Sequence, residues 1–410
     1  MTTRTQQLGT GRRGEVDLVR ASFLDLVERF RPHEARDVAA SWVVEVDGHA
    51  PTTIRVQHGR CLVSPGRGPD PDTRLVTDAD TWVGLVDGHL DGIGAFLGGR
   101  LRVEGDLHLA ARFETMFSPG PAGTRQVRAL QTDVRGLRIE SLVAGSGQPV
   151  VLLHGLGANK VSFLPTLDGL SDRFEVHALD LPGFGRSSKP LPAGRRYSMA
   201  WMAHLVHRYL VHNGLEGAFL VGNSMGGRIA VEVALGHPGW VRGVVGLAPA
   251  VAFDEYRRLA PLLRWTRAHW VGLAPMTAPL AWIEELVQGL FHDPSTVPTA
   301  NHRAAALDVV RAMHDPAYRM ALLACARHIA VERATGPRSY WSRLAGLATP
   351  SYWIFGRGDR LVDPRYARRV GEVLPAARVE LWDDVGHVPQ FEVPVRTNAA
   401  IAGWFDTVGG

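Results

Sequence analysis

Cysteine is nearly missing from this chain: Cys61 and Cys325 are the only two among 410 residues. A disulfide framework and a cysteine-rich metal site are both excluded. Charge of one sign is not in excess either, with 45 Lys and Arg against 41 Asp and Glu and no run of five like charges. A nucleic-acid binder usually carries a basic stripe or tail, so no nucleic-acid partner is expected. Long apolar runs are absent too. The longest uncharged stretch, residues 141–159, holds four glycines, a proline, a glutamine and a histidine, which argues against a transmembrane segment. Residues 1–14 are polar and lack the apolar region of a secretory signal. A soluble chain in the reducing cytoplasm is the expectation. What is present is globular, 45 % hydrophobic and 21 % charged. At about 150 residues per domain, the length suggests two or three domains.

Residues 1–14 read as a flexible tail. Val19, Phe23, Leu26, Val27 and Phe30 then repeat at helical spacing. Residues 41–46 and 52–56 read as strands around an Asp47-Gly48 turn, and 60–63 as a third strand. Residues 66–72 read as a loop, and Asp78 or Asp80 as the cap of a helix running to Leu90. A short helix at 93–97, a strand at 100–103 and a helical stripe of Leu109, Phe113, Met116 and Phe117 complete an α+β unit. Residues 118–124, SPGPAGT, form a linker. Residues 81–107 resemble the sterol-carrier-protein-2 (SCP2) family, ending in a strand carrying Gly99, Leu101, Val103, Gly105 and Asp106. The resemblance extends over roughly 17–117 and places an SCP2-like domain at 15–117. It implies an apolar tunnel for sterols, fatty acids or acyl-CoA, with Trp82, Phe96 and Phe113 as candidate lipid contacts. For each of these three residues, simple core packing is the competing reading.

From residue 125 to 410 the pattern changes. Residues 127–134 and 137–143 form a hairpin around Arg135-Gly136. Short buried-strand runs at 149–153, 174–179, 217–221, 241–247, 351–355 and 379–381 then alternate with helical stretches, the signature of a parallel α/β sheet. Between about 252 and 347 the alternation stops, and a helical segment with Trp265, Trp270, Trp282 and Trp341 reads as an inserted lid.

The chemistry centres on Gly222-Asn223-Ser224-Met225-Gly226, which follows a strand run and precedes a helical one. A strand-to-helix turn this sharp needs small residues around the serine and exposes its Oγ. A serine hydroxyl needs a histidine base, and the base needs a carboxylate. Asp359 and His387 each follow a strand run, in the chain order serine, acid, histidine. Asp254 is the alternative acid. Met225 and Leu156, the latter in His154-Gly155-Leu156-Gly157, are the expected backbone donors of an oxyanion hole. Asp180 and His154 read as shaping loops, and Asp383 and Asp384 as solvated strand-end charges. His204, His207 and His212 share a helix but lack a completing carboxylate or cysteine, so no metal is expected. Gly92-Ile93-Gly94 has Leu97 where a dinucleotide site needs its third glycine, so no cofactor is expected.

The motifs HGLG (154–157), DLPGFGRS (180–187), GNSMGG (222–227), GRGD (356–359) and GHVPQFEVP (386–394) together resemble the α/β-hydrolase superfamily. The resemblance implies an α/β-hydrolase sheet with a helical lid, preceded by the small α+β domain. It implies a serine hydrolase acting on a lipophilic ester or thioester. Serine at 224 disfavours relatives with aspartate there, such as epoxide hydrolases. A carbon–carbon bond hydrolase of the meta-cleavage-product type is the alternative, although Val388 stands where those enzymes usually carry Trp. A catalytically dormant lipid-binding scaffold is the second alternative.

Overall fold

The computed structural model describes residues 10–117, 127–252, 272 and 278–409, with side chains from residue 18 onward. Asp254, Trp265, Trp270 and the linker at 118–124 lie outside the described residues. The chain divides into two compact units, Met1–Arg128 with Pro298–Leu307, and Ala129–Val297 with Asp308–Gly410.

The first unit opens with helix α1 (Thr10–Glu28), which begins inside the stretch read as a tail. Strands β1 (Ala40–Val46), β2 (Thr52–Gln57), β3 (Arg60–Pro65), β4 (Thr73–Thr77) and β5 (Arg102–Gly105) form a sheet in the order β3-β2-β1-β4-β5. Strand β4 had no counterpart in the sequence reading. Its inward residues are Thr73, Leu75 and Thr77, so two of three core-facing positions are threonine and the apolar alternation is hidden. Helix α2 (Ala79–Asp87) is capped by Asp78, which accepts the Thr81 N–H, and stops at Gly88 with φ +79°. Helices α3 (Gly92–Leu97) and α4 (Leu107–Phe117) follow. Core rings pack in sequence-distant pairs, Phe23 on Trp82 at 4.9 Å and Trp42 on Phe113 at 5.7 Å between centroids. The side-chain amide of Asn301, in the segment Pro298–Leu307 that counts with this unit, donates to the Phe96 carbonyl at 3.1 Å.

The second unit holds eight strands: β6 (Arg128–Val134), β7 (Leu137–Ala144), β8 (Gln148–Leu153), β9 (Phe174–Leu179), β10 (Ala218–Asn223), β11 (Val241–Leu247), β12 (Ser351–Gly356) and β13 (Arg378–Trp382). They fall on the eight strand runs of the sequence. The order is β13-β12-β11-β10-β8-β9-β7-β6. From β9 to β13 every neighbouring pair is parallel, and β7 joins β9 antiparallel. Helices α5 (Leu164–Leu170), α6 (Met199–His212) and α7 (Met225–Gly236) lie between the earlier strands. The stretch before β12 carries α8 (Leu280–Gln288), α9 (Thr299–Met313), α10 (Pro316–Ala330) and α11 (Tyr340–Leu344). Helices α12 (Arg365–Val373), α13 (Pro389–Glu392) and α14 (Pro394–Gly409) close the chain. Val150, Val151, Leu152 and Leu153 are all fully buried, as a strand covered on both faces requires. Because β8, β10, β12 and β13 run in one direction, His154, Ser224, Asp359 and His387 all follow strand C-termini on the same edge of the sheet. Among the described residues no helix is long and apolar enough to cross a membrane.

Candidate active site

Ser224 stands between the last residue of β10 and the first of α7, with φ +50° and ψ −116°. A serine holds this strained conformation only where the surroundings over-determine it. Its N–H donates to the Leu247 carbonyl at 3.0 Å, and its carbonyl accepts the Ala250 N–H at 2.9 Å. The flanking glycines make the turn sterically feasible. A Cβ on Gly222 would fall 2.2 Å from the Gly226 carbonyl carbon, and one on Gly226 would fall 1.8 Å from the Leu153 oxygen. The neighbours of Ser224 are buried while Ser224 itself is partly exposed, so the turn presents its side chain.

His387 and Asp359 are in contact. His387 Nδ1 lies 2.8 Å from Asp359 Oδ2, and both side chains are buried. The other carboxylate oxygen, Oδ1, accepts the N–H groups of Leu361 at 2.7 Å and Val362 at 3.0 Å. An ionised carboxylate only accepts, so the imidazole donates from Nδ1 and keeps the Nε2 lone pair for use as a base. The side-chain amide of Asn223 donates to the His387 carbonyl at 2.9 Å. The residue before the serine therefore holds the backbone of the histidine.

The two candidate oxyanion donors differ in how they are aimed. Met225 is the first residue of α7, so its N–H has no acceptor within the helix. Leu156 is aimed indirectly. The Leu181 N–H donates to His154 Nε2 at 3.0 Å, which puts the ring proton on Nδ1, and Nδ1 donates to the Gly155 carbonyl at 2.8 Å. In a trans peptide the Leu156 N–H points opposite to that carbonyl. A Cβ on Gly155 would lie 3.4 Å from Ser224 Cβ, so this loop abuts the serine. His154 thus shapes the loop as a neutral ring.

Asp180 is fully buried and structural in its contacts. It accepts the Lys160 N–H at 2.8 Å, the Arg186 N–H at 2.8 Å and the Lys160 ammonium at 2.6 Å. Glu140 accepts the same ammonium at 3.0 Å. Burial opposes the charge on Lys160, but the Asp180 and Glu140 carboxylates outweigh it and hold the lysine above its usual range. The role of Lys160 escaped the sequence reading, because nothing in the local pattern marks a lysine as fully buried. Asp383 pairs with Arg357 in solvent, and the Asp384 side chain is 92 % exposed.

The remaining candidates are spread out. Trp82 is buried and its indole N–H donates to Ser22 Oγ at 2.9 Å, Phe96 is buried, and Phe113 is half-buried against Trp42, Trp82 and Phe117. His207 stacks on His237 with centroids 3.5 Å apart, a geometry unsuited to sharing one metal ion. No group of three or more potential metal ligands occurs among the described residues.

Comparison with known proteins agrees with this architecture. Residues 148–394 match the alpha/beta hydrolase fold family, and residues 28–118 match the SCP-2 sterol transfer family. A pimeloyl-[acyl-carrier protein] methyl ester esterase of Aeromonas hydrophila is 28 % identical over 258 residues, covering 61 % of this chain and 92 % of the esterase. Among solved structures, a membrane phospholipase A described as a bacterial virulence factor is 25 % identical with a TM-score of 0.54, covering 69 % of this chain and 87 % of its own. A meta-cleavage product hydrolase is 23 % identical with a TM-score of 0.53, covering 68 % and 98 %, and shares the fold.

Proposed function

Because the chain is an enzyme that belongs to the alpha/beta hydrolase fold family, we propose that it is a serine hydrolase cleaving a carboxylic ester or thioester of a lipophilic acid or alcohol. The observation that carries this reading is the fixing of His387 from both sides, its ring by Asp359 and its carbonyl by the residue next to Ser224. In this reaction Ser224 Oγ attacks the acyl carbon while His387 Nε2 takes its proton. Asp359 stabilises the imidazolium that forms. The N–H groups of Met225 and Leu156 hold the charge that develops on the acyl oxygen. His387 then protonates the leaving alcohol or thiol, and a water activated by the same ring releases the acid and frees Ser224.

The esterase relative supports an ester as the bond cleaved. The match to the SCP-2 sterol transfer family supports an apolar ligand for the first unit, which would raise the local concentration of a lipophilic substrate. The test is turnover of p-nitrophenyl esters from acetate to palmitate by the full chain, by residues 125–410 and by Ser224→Ala, with fluorophosphonate labelling alongside. The reading expects labelling and turnover that vanish in Ser224→Ala, and a long-chain preference that weakens without residues 1–124. A chain that labels but turns over no ester would point to carbon–carbon cleavage. A chain that neither labels nor turns over ester would leave the scaffold alternative.

A further inference from the structure

Five residues after His387 stands Glu392, whose side chain is buried though it carries no substrate-facing role in the reaction above. It curls back over the turn. One oxygen accepts the Gly386 N–H at 2.6 Å, and the other accepts the Asp293 N–H at 2.8 Å. Both partners are backbone groups, and they lie 93 residues apart in sequence. Gly386 precedes the candidate base. Asp293 lies just past α8, the lid helix that leaves Trp282 and Leu286 exposed.

The same lid segment grips the site at two further points. The Leu290 carbonyl accepts the His387 N–H at 2.7 Å. His292 closes over the turn of the candidate acid, since a Cβ on Gly358 would fall 2.3 Å from His292 Nδ1. Both main-chain polar groups of His387 are therefore committed, the N–H to the lid segment and the carbonyl to Asn223. The general base sits at a junction of three pieces of chain: the nucleophile turn, its own turn and the exit of the lid. The Glu392 carboxylate bonds to the base turn and the lid exit together.

We propose that Glu392 is a positioning residue that ties the His387 turn to residues 290–293, so that the placement of the base follows the placement of the end of α8. The proposal rests on the serine-hydrolase reading for its effect on rate. Its mechanical part stands on the hydrogen bonds alone. A buried carboxylate can serve two N–H groups at once. The glutamine isostere has one acceptor and one donor, so one of the two N–H groups loses its partner.

The experiment compares the full chain with Glu392→Gln, and with Glu392→Asp, whose shorter arm cannot span both N–H groups, in case the first variant folds poorly. Hydrogen exchange is followed at the amides of Gly386, His387 and Asp293. Turnover of a short p-nitrophenyl ester is expressed per fluorophosphonate-labelled site. The expected result is concerted loss of protection at all three amides. With it, kcat per labelled site should fall about tenfold to a hundredfold, the cost of a small misplacement of a reacting group, while KM stays within about twofold. Unchanged kcat per labelled site would overturn the proposal even if less protein folded, because a purely structural residue lowers the amount of enzyme and not its turnover. If the unaltered chain neither labels nor turns over ester, the hydrolase reading fails by itself and exchange decides the remainder. Loss confined to Asp293, or no loss, would then overturn the link.

Discussion

Two buried aspartates follow strand ends in the same sheet, Asp180 after β9 and Asp359 after β12, and they are put to different uses. Asp180 faces the Lys160 ammonium at 2.6 Å, a partner that stays charged across the physiological range. Asp359 faces the imidazole of His387 at 2.8 Å, a partner whose second ring nitrogen is left for the proton transfer of the proposed reaction. Backbone N–H groups satisfy both carboxylates from the other side. Residue type and topological position are therefore shared, and the partner alone separates a structural clamp from a candidate catalytic acid.

The sharpest way to break this contrast is Asp359→Asn. The change keeps the shape but lets the histidine take the wrong tautomer, and kcat is expected to fall by about 10⁴ with the thermal midpoint little changed. Retained activity would mean that another carboxylate serves, Asp254 being the alternative already named. Lys160→Met should show the opposite profile. It leaves Asp180 and Glu140 buried without their cation, and a loss of about 3–5 kcal/mol in denaturant unfolding is expected. A mild effect on stability would remove the distinction between the two sites.

The first unit extends the comparison to a core of aromatic rings, Phe23 on Trp82 and Trp42 on Phe113. Trp82→Ala should cost that unit about 3 kcal/mol through the cavity it leaves and the indole bond to Ser22 that it breaks. Ester turnover by the second unit should stay within twofold, a ratio of the order left by changes that touch no reacting group. A change in long-chain ester turnover much larger than that in short-chain turnover would instead mark Trp82 as a ligand contact.

The smallest effect is expected from His207, a half-buried titratable group with no hydrogen-bond partner at either ring nitrogen among the described residues. Burial, with the nearby His237 and His204, pushes its pKa down from 6.5 to about 4. The unfolded chain thus binds this proton more readily than the folded one. Its contribution to stability is complete above pH 6.5 and is lost as the pH falls toward about 4. His207→Phe should make the acid-side decline in thermal midpoint shallower. An unchanged slope would assign the decline to other groups.

The legibility of this protein in its sequence varied with how local the signal was. The serine turn was readable because its glycines, its strand and its helix are contiguous, and the glycines are demanded by backbone that would collide with any Cβ. The strands of the second sheet were readable because burial on both faces writes continuous apolar runs. Strand β4 was not, since threonines fill two of its core-facing positions. Lys160 and Glu392 were not, since a buried charge is recognised only by the partners that neutralise or bond it, and those come from elsewhere in the chain.

By itself, then, the sequence determined the order of strands in the second sheet's stretch of chain, the glycine-flanked serine turn and the residue types available at each strand end. Each follows from interactions among neighbours in the chain, where sterics and hydrophobic period act directly. Only the tertiary structure decided which aspartate meets a lysine and which a histidine, that Asn223 and Leu290 hold the two main-chain groups of His387, and that Trp82 is closed into a core. Those outcomes depend on contacts between segments tens to hundreds of residues apart, and no local pattern encodes a distance across a folded sheet.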